Sequence, residues 1–168
     1  MKVLFLDIDG VLNSGNHFNV IVLAKEKGEH HISEGKVPDD LKHNATHLDP
    51  DAIQLLNRIV EEANCEIVIS SSWRKLFHIG EICTMLNASG FLHSDRIIGK
   101  TPVSKTTFLR GGEIRIWLDA FGDGVNNFVI VDDDSDMLPE QFPRFVKTDF
   151  EEGLTPERAD KIIELFNS

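Results

Sequence analysis

Three things are scarce in this chain of 168 residues. Cysteine is the first, with only Cys65 and Cys83. Two thiols permit one bridge, which excludes a miniprotein built on disulfides. One sits against an apolar run and the other inside a helical pattern, so both read as buried thiols in a reducing, cytoplasmic setting. Positive charge is the second: 17 Lys plus Arg stand against 28 Asp plus Glu, a formal net charge of −11. That balance repels long polyanions. It still admits a phosphate held at a metal, because a cation cancels the charge of clustered carboxylates. Long hydrophobic runs are the third. The N-terminal run, residues 3–6, is too short for a signal-peptide core or a membrane span, and no membrane partner is expected. There is no repeat and no low-complexity segment.

What is present suits a folded domain. Apolar residues make up 41%, near the globular norm of about 45–50%. The length fits one domain at roughly 150 residues each, so residues 1–168 read as a single unit. Residues 3–6, 67–69 and 128–131 are continuous apolar runs that end in polar residues, the pattern of strands buried on both faces of a parallel sheet. Shorter strands are expected at 96–98 and 145–147. Helices are expected from Asp49-Pro50 to residue 63, over 76–88, over 113–121, and from Thr155-Pro156 onward. The first and last carry a capping residue followed by Pro at the first helical position. Residues 13–48 are polar apart from 18–24, and read as an inserted loop or small lid with at most one short helix. Strands alternating with helices imply an α/β fold: a parallel sheet of about five strands, helices on both faces, and a small insertion after the first strand.

In such sheets ligands bind beyond the carboxyl ends of the strands. Three strand ends are polar here: Asp7-Ile8-Asp9-Gly10, Ser70-Ser71-Ser72, and Asp132-Asp133-Asp134. Carboxylates brought that close repel unless they share protons or a cation, and hard oxygen ligands favour Mg²⁺. Asp7 and Asp9 stand two apart where the chain leaves a strand, and Gly10 permits a sharp departure. One carboxylate can attack phosphorus while the other protonates the leaving oxygen.

Asp7-Ile8-Asp9-Gly10-Val11-Leu12-Asn13 resembles the first motif of the haloacid dehalogenase (HAD) superfamily of phosphotransferases. Ile67-Val68-Ile69-Ser70 is similar to its second motif, and Val129-Ile130-Val131-Asp132-Asp133 to its acidic fourth. Ser70-Ser71-Ser72-Trp73-Arg74, with Arg110-Gly111-Gly112-Glu113-Ile114, resembles a HAD branch found beside RNA-repair proteins. The Asp132-Asp133 pair also resembles the phosphatase half of polynucleotide kinase-phosphatases.

The resemblance implies a Rossmann-like HAD fold and Mg²⁺-dependent hydrolysis of a phosphomonoester through a phospho-aspartate. It implies Asp7 as nucleophile and metal ligand. Asp9 would be general acid and then base, with its backbone carbonyl on the metal. Ser70 would hold the phosphoryl group. Asp133 would bind Mg²⁺ with Asp132 supporting it, while Asp134 and Asp136 remain open as substitutes. The family places a Lys in its third motif. Here Arg110 is the first candidate, because Gly111 and Gly112 would let the chain turn sharply and leave its side chain free. Lys105 and Lys100 are rivals.

Ser71, Trp73 and Arg74 are candidates to line the substrate pocket. Trp73 reads equally as a stacking platform for a base or as core. His17, His30, His31, His43 and His47 match no metal-ligand spacing and read as a solvated loop. Residues 149–152 read as a solvated acidic face. A small lid leaves room for a nucleotide or a nucleic-acid end as substrate. Two rival readings are an inactive HAD-like module that binds metal or protein, and a receiver domain. A receiver would carry its phospho-accepting Asp on a middle strand, where this chain has serines.

Overall fold

The structure is a computed structural model, and it describes residues 1–28 and 37–168. Five strands form one sheet: β1 (Lys2–Leu6), β2 (Glu66–Ile69), β3 (Ile97–Lys100), β4 (Asn127–Asp132) and β5 (Phe145–Lys147). All pairs are parallel, in the order β3-β2-β1-β4-β5. The strands are nearly unbroken apolar runs because neither face meets water. The fold is the expected Rossmann-like α/β arrangement, with strand ends within a residue or two of those read from the sequence.

Among the described residues six α-helices accompany the sheet: α1 (Gly15–Glu26), α2 (Asp39–His47), α3 (Pro50–Ala63), α4 (Ile79–Ala88), α5 (Arg110–Phe121) and α6 (Pro156–Asn167). Leu4, Leu6, Ile67, Ile69, Val129 and Val131 point to one face. There they meet Ile53 and Leu56 of α3, Ile82 and Leu86 of α4, and Ile162 and Phe166 of α6. Val3, Phe5, Val68 and Ile130 point to the other face and meet Ile114 and Trp117 of α5, with Met137 beside them. The Phe5 and Trp117 rings pack edge to face at 5.4 Å, a favoured aromatic geometry. Among the described residues, α5 is the helix that seals this second face.

Cap chemistry explains the helix starts. Asp49 accepts from the Asp51 N–H at 2.9 Å with Pro50 following, and Thr155 accepts from Arg158 N–H at 3.4 Å with Pro156 following. Three elements differ from expectation. α4 begins at Ile79, later than read, because residues Ser72–Lys75 form a separate 3₁₀ turn and the Glu81 carboxylate holds the His78 N–H at 2.6 Å. α5 begins at Arg110, three residues earlier than read. Among its described residues the insertion holds two helices, where a loop or small lid with one short helix was expected. Ser14 caps α1 through the His17 N–H at 3.1 Å. α2 buries only Leu41 and Ala45, too few positions to read as a helical period from sequence. His30 and His31 lie outside the described residues.

No described helix is long and apolar enough to cross a membrane. Cys65 and Cys83 are free thiols, and burial pushes Cys65 up to about 12.

Candidate active site

The chain runs from β1 to β2 on one side and returns later to β4 on the other, so β1 and β4 diverge at the point where strand order reverses. A crevice outside the carboxyl ends follows from that topology. Asp7 extends the ladder past β1, its N–H donating to Val131 O at 3.1 Å. This sets its side chain beside Asp132, the last residue of β4.

Oxygens of Asp7, Asp132 and Asp133 lie within 4.8 Å of one another. Gly10 makes this approach feasible. It has φ +71°, and a Cβ there would stand 2.4 Å from Asp133 Oδ2. Thr148 Oγ1 fixes the same turn by donating to Gly10 O at 2.7 Å. Arg110 is the cation that faces the cluster: Nη1 is 3.6 Å from Asp7 Oδ1 and Nε 3.7 Å from Asp132 Oδ2.

Burial pushes Asp7 up to about 6, against the pull of Arg110 and a hydrogen bond from Ser71. Burial, then the charge of Asp7, pushes Asp132 up to about 7. Asp133 is raised as well, by burial. Asp7 Oδ1 and Asp132 Oδ2 are buried and have no hydrogen-bond partner. Buried, unpartnered carboxylate oxygens around one point, with a single guanidinium at hand, fit a hard divalent cation. Mg²⁺ takes oxygens at about 2.1 Å and tolerates water in its remaining positions. Asp134 is exposed, accepts from the Ser135 N–H at 2.8 Å and stands outside the group formed by Asp7, Asp132 and Asp133.

Asp9 stands apart from that cluster. Trp73 Nε1 donates to both its oxygens at 3.0 Å. Asn13 Nδ2 donates to Oδ1 at 2.8 Å, and Asn13 Oδ1 accepts from Gly10 N–H at 2.9 Å. One carboxylate thus sits beside the metal-type cluster while the other is held by neutral donors.

Ser70 is buried with its hydroxyl unpartnered. Ser71, Trp73 and Arg74, expected beside the substrate, are all buried. Ser71 is fully buried against Asp7. Trp73 is 4% exposed and faces inward to Asp9, which removes it as a stacking platform. Arg74 is buried in an ion pair with Glu113, and Nη1 donates to Ser71 O at 2.6 Å.

Arg110 arrives on the first turn of α5, and the reason differs from the one read from the sequence. Neither Gly111 nor Gly112 has positive φ; both are helical. They are small because neighbours press close. A Cβ on Gly111 would stand 2.3 Å from Gln141 Oε1 and 2.5 Å from Leu138 N, and one on Gly112 would stand 2.5 Å from Thr107 Oγ1. Asp136 caps the turn, its Oδ2 accepting from Arg110 N–H at 2.8 Å and its carbonyl from Gly111 N–H at 3.1 Å. Lys100 is turned elsewhere, donating to Arg74 O at 3.0 Å and Phe77 O at 3.3 Å. Lys105 is exposed.

Sequence reasoning missed three residues. Asp136 serves as a cap, where the reading had it only as a spare ligand. Glu113 holds Arg74 and accepts from Ser104 N–H at 3.0 Å. Asn13 holds Asp9. Asn13 and Glu113 both carried a signal, the one as part of the first motif and the other within the Arg110-Gly111-Gly112-Glu113-Ile114 stretch.

A cavity of about 250 Å³ opens beside Asp9, lined by Asn13, Ser14, Gly15, Phe18, His47 and Phe150. His17 is buried and 3.7 Å from Asp49, while His43 and His47 pack edge to face at 4.5 Å. Among the described residues no histidine joins a group of three ligand-capable side chains. Residues 149–152 are exposed as expected, yet their backbone is tied to α1: Gly15 N–H donates to Phe150 O at 2.9 Å and Asn16 N–H to Glu151 O at 3.0 Å.

A family described as the HAD domain in Swiss Army Knife RNA repair proteins matches residues 3–159. No curated protein and no solved structure matches the chain.

Proposed function

We propose that this chain, which belongs to the family of HAD domains found in Swiss Army Knife RNA repair proteins, hydrolyses phosphomonoesters with Mg²⁺ through a phospho-Asp7 intermediate, on a nucleotide or a nucleic-acid end. One observation carries the reading: a buried Asp7 oxygen with no hydrogen-bond partner lies between two further carboxylates and the Arg110 guanidinium.

Asp7, Asp132 and Asp133 would hold the ion, with Asp9 contributing its backbone carbonyl. When bound, the ion supplies positive charge that steadies the phosphoryl oxygens. The remaining work falls to side chains. Asp7 attacks phosphorus, and the bond from phosphorus to the leaving oxygen breaks as Asp9 donates a proton to that oxygen. Asp9, now ionised, takes a proton from water. The water oxygen attacks phosphorus, the Asp7–phosphorus bond breaks, and inorganic phosphate and free Asp7 result. Arg110 spreads positive charge over oxygens that become more negative on the way. The Ser70 hydroxyl, free of other partners, donates to the transferred group. The two α helices of residues 13–48 act as a small lid.

The test is hydrolysis of p-nitrophenyl phosphate, with chelator and Mg²⁺ controls. Release of p-nitrophenol that stops with chelator, returns with Mg²⁺ and disappears in Asp7→Asn is the expected result. Full activity in excess chelator removes the metal mechanism. No hydrolysis by the wild type with Mg²⁺ removes the enzyme reading and leaves an inactive binding module.

A further inference from the structure

The cavity beside Asp9 has walls from three parts of the chain. Phe18 comes from α1, His47 from the end of α2, and Phe150 from the segment between β5 and α6. Phe18 and Phe150 are 51% and 55% exposed and share one hollow. Neither is a loose surface residue. The Phe18 ring stacks on His47, with planes 15° apart and centroids at 5.7 Å. Phe150 is fixed through its carbonyl to the Gly15 N–H. His47 is itself anchored, Nδ1 donating to His43 O at 2.7 Å, and burial holds it below the usual imidazole range. Among the described residues the lining includes no Lys or Arg, and its one acidic member is Asp9.

These features select an occupant. Flat apolar walls without a cation repel a second phosphate and accept a flat, uncharged ring. The volume equals the share of roughly eight waters, enough for one ring system. Asp9 lies in the wall, so the occupant is joined to the oxygen that Asp9 protonates. We propose that this cavity is the leaving-group subsite and that it takes a nucleobase, one sugar removed from the scissile phosphate. The assignment rests on the hydrolase reading for the direction of the substrate, and it adds to that reading the place where the base of a nucleoside phosphate would sit and the side chains that would hold it. Base-on-aromatic stacking is tolerant of base identity, so little discrimination among bases is expected. A free nucleotide and an oligonucleotide terminus share this chemistry.

Binding to full-length Asp7→Asn protein with Mg²⁺, followed by calorimetry, tests the subsite without turnover. The probes are adenosine 3′-monophosphate, adenosine 5′-monophosphate, ribose 5-phosphate and inorganic phosphate. The better adenosine phosphate should bind at least about tenfold more tightly than ribose 5-phosphate, as stacking predicts. Phe18→Ala with Phe150→Ala should erase that advantage and leave inorganic phosphate unaffected, while Phe18→Trp should keep it. Both rings are half exposed, so their truncation leaves the core intact. A 3′- or 5′-phosphorylated dinucleotide distinguishes the sources: affinity equal to the mononucleotide marks an oligonucleotide end, and weaker affinity marks a free nucleotide. No binding of either adenosine phosphate, affinity equal to ribose 5-phosphate, or an advantage that survives loss of both rings overturns the proposal. Hydrolysis of p-nitrophenyl phosphate by the wild type is scored separately. A protein that binds nucleotides in this pattern yet hydrolyses nothing loses the hydrolase reading and keeps the base site.

Discussion

At Asp7, the proposed nucleophile, two demands conflict: a nucleophile must be ionised, and a buried carboxylate resists ionising. Burial raises Asp7 to about 6, and Arg110 is the main force pulling it back. Asp7→Asn should abolish turnover while the thermal unfolding curve stays cooperative. Residual turnover within about tenfold of wild type, roughly 1.4 kcal/mol of barrier, would sink the nucleophile assignment. Arg110→Ala should slow turnover at least about a hundredfold, near 2.7 kcal/mol. Arg110→Lys should retain part of it, since charge stays and the fork is lost, and Lys105→Ala should cost little. In Mg²⁺ titrations of activity, Asp133→Ala should demand far more metal than wild type and Asp134→Ala much less. The reverse order would mean that the exposed Asp134 is the ligand.

Helix α5 shows how a position can be singled out for a reason that the structure replaces with another. Arg110-Gly111-Gly112 stood out in the sequence as a turn that frees a basic side chain. In the structure the glycines are helical, and their missing Cβ atoms make room for the segment that follows β4. Gly111→Ala should therefore destabilise the protein by about 1–3 kcal/mol, the usual range for overpacking. It should also lower activity, since Leu138 N is backbone and cannot swing aside. Denaturant unfolding with parallel kinetics checks both, and a neutral result would mean that the helix shifts freely. Strands were legible because burial on both faces writes itself as an unbroken apolar run. Helices α1 and α2 were not, because few of their positions are buried. Trp73 and Glu113 were out of reach because their partners, Asp9 and Arg74, are 64 and 39 residues away along the chain.

For the whole molecule, the buried acids make stability a function of pH and metal. The ordinary value for Asp is 3.8, and Asp7 and Asp132 are raised to about 6 and about 7 in the folded state. Between those values and the ordinary one, the folded state holds more protons than the unfolded state, so stability falls as pH rises through that window. Below the ordinary value both states are protonated and the penalty is absent. Metal-free protein should thus melt at lower temperature at about pH 8 than at about pH 5, with Asp132→Asn flattening the fall. Mg²⁺ should restore much of it, because the ion binds only where the acids are assembled. Equal pH slopes for wild type and Asp132→Asn would contradict this account. The lopsided covering of the sheet has a further consequence. Four inward residues, Val3, Phe5, Val68 and Ile130, share α5 as their helical cover, and the same helix delivers Arg110 to the acids. Release of α5 would wet the hydrophobic face and strip the site of its cation in one event. Amide hydrogen exchange along α5 therefore doubles as a clock for the site: the slowest of its amides reports how often the acids and their guanidinium come apart.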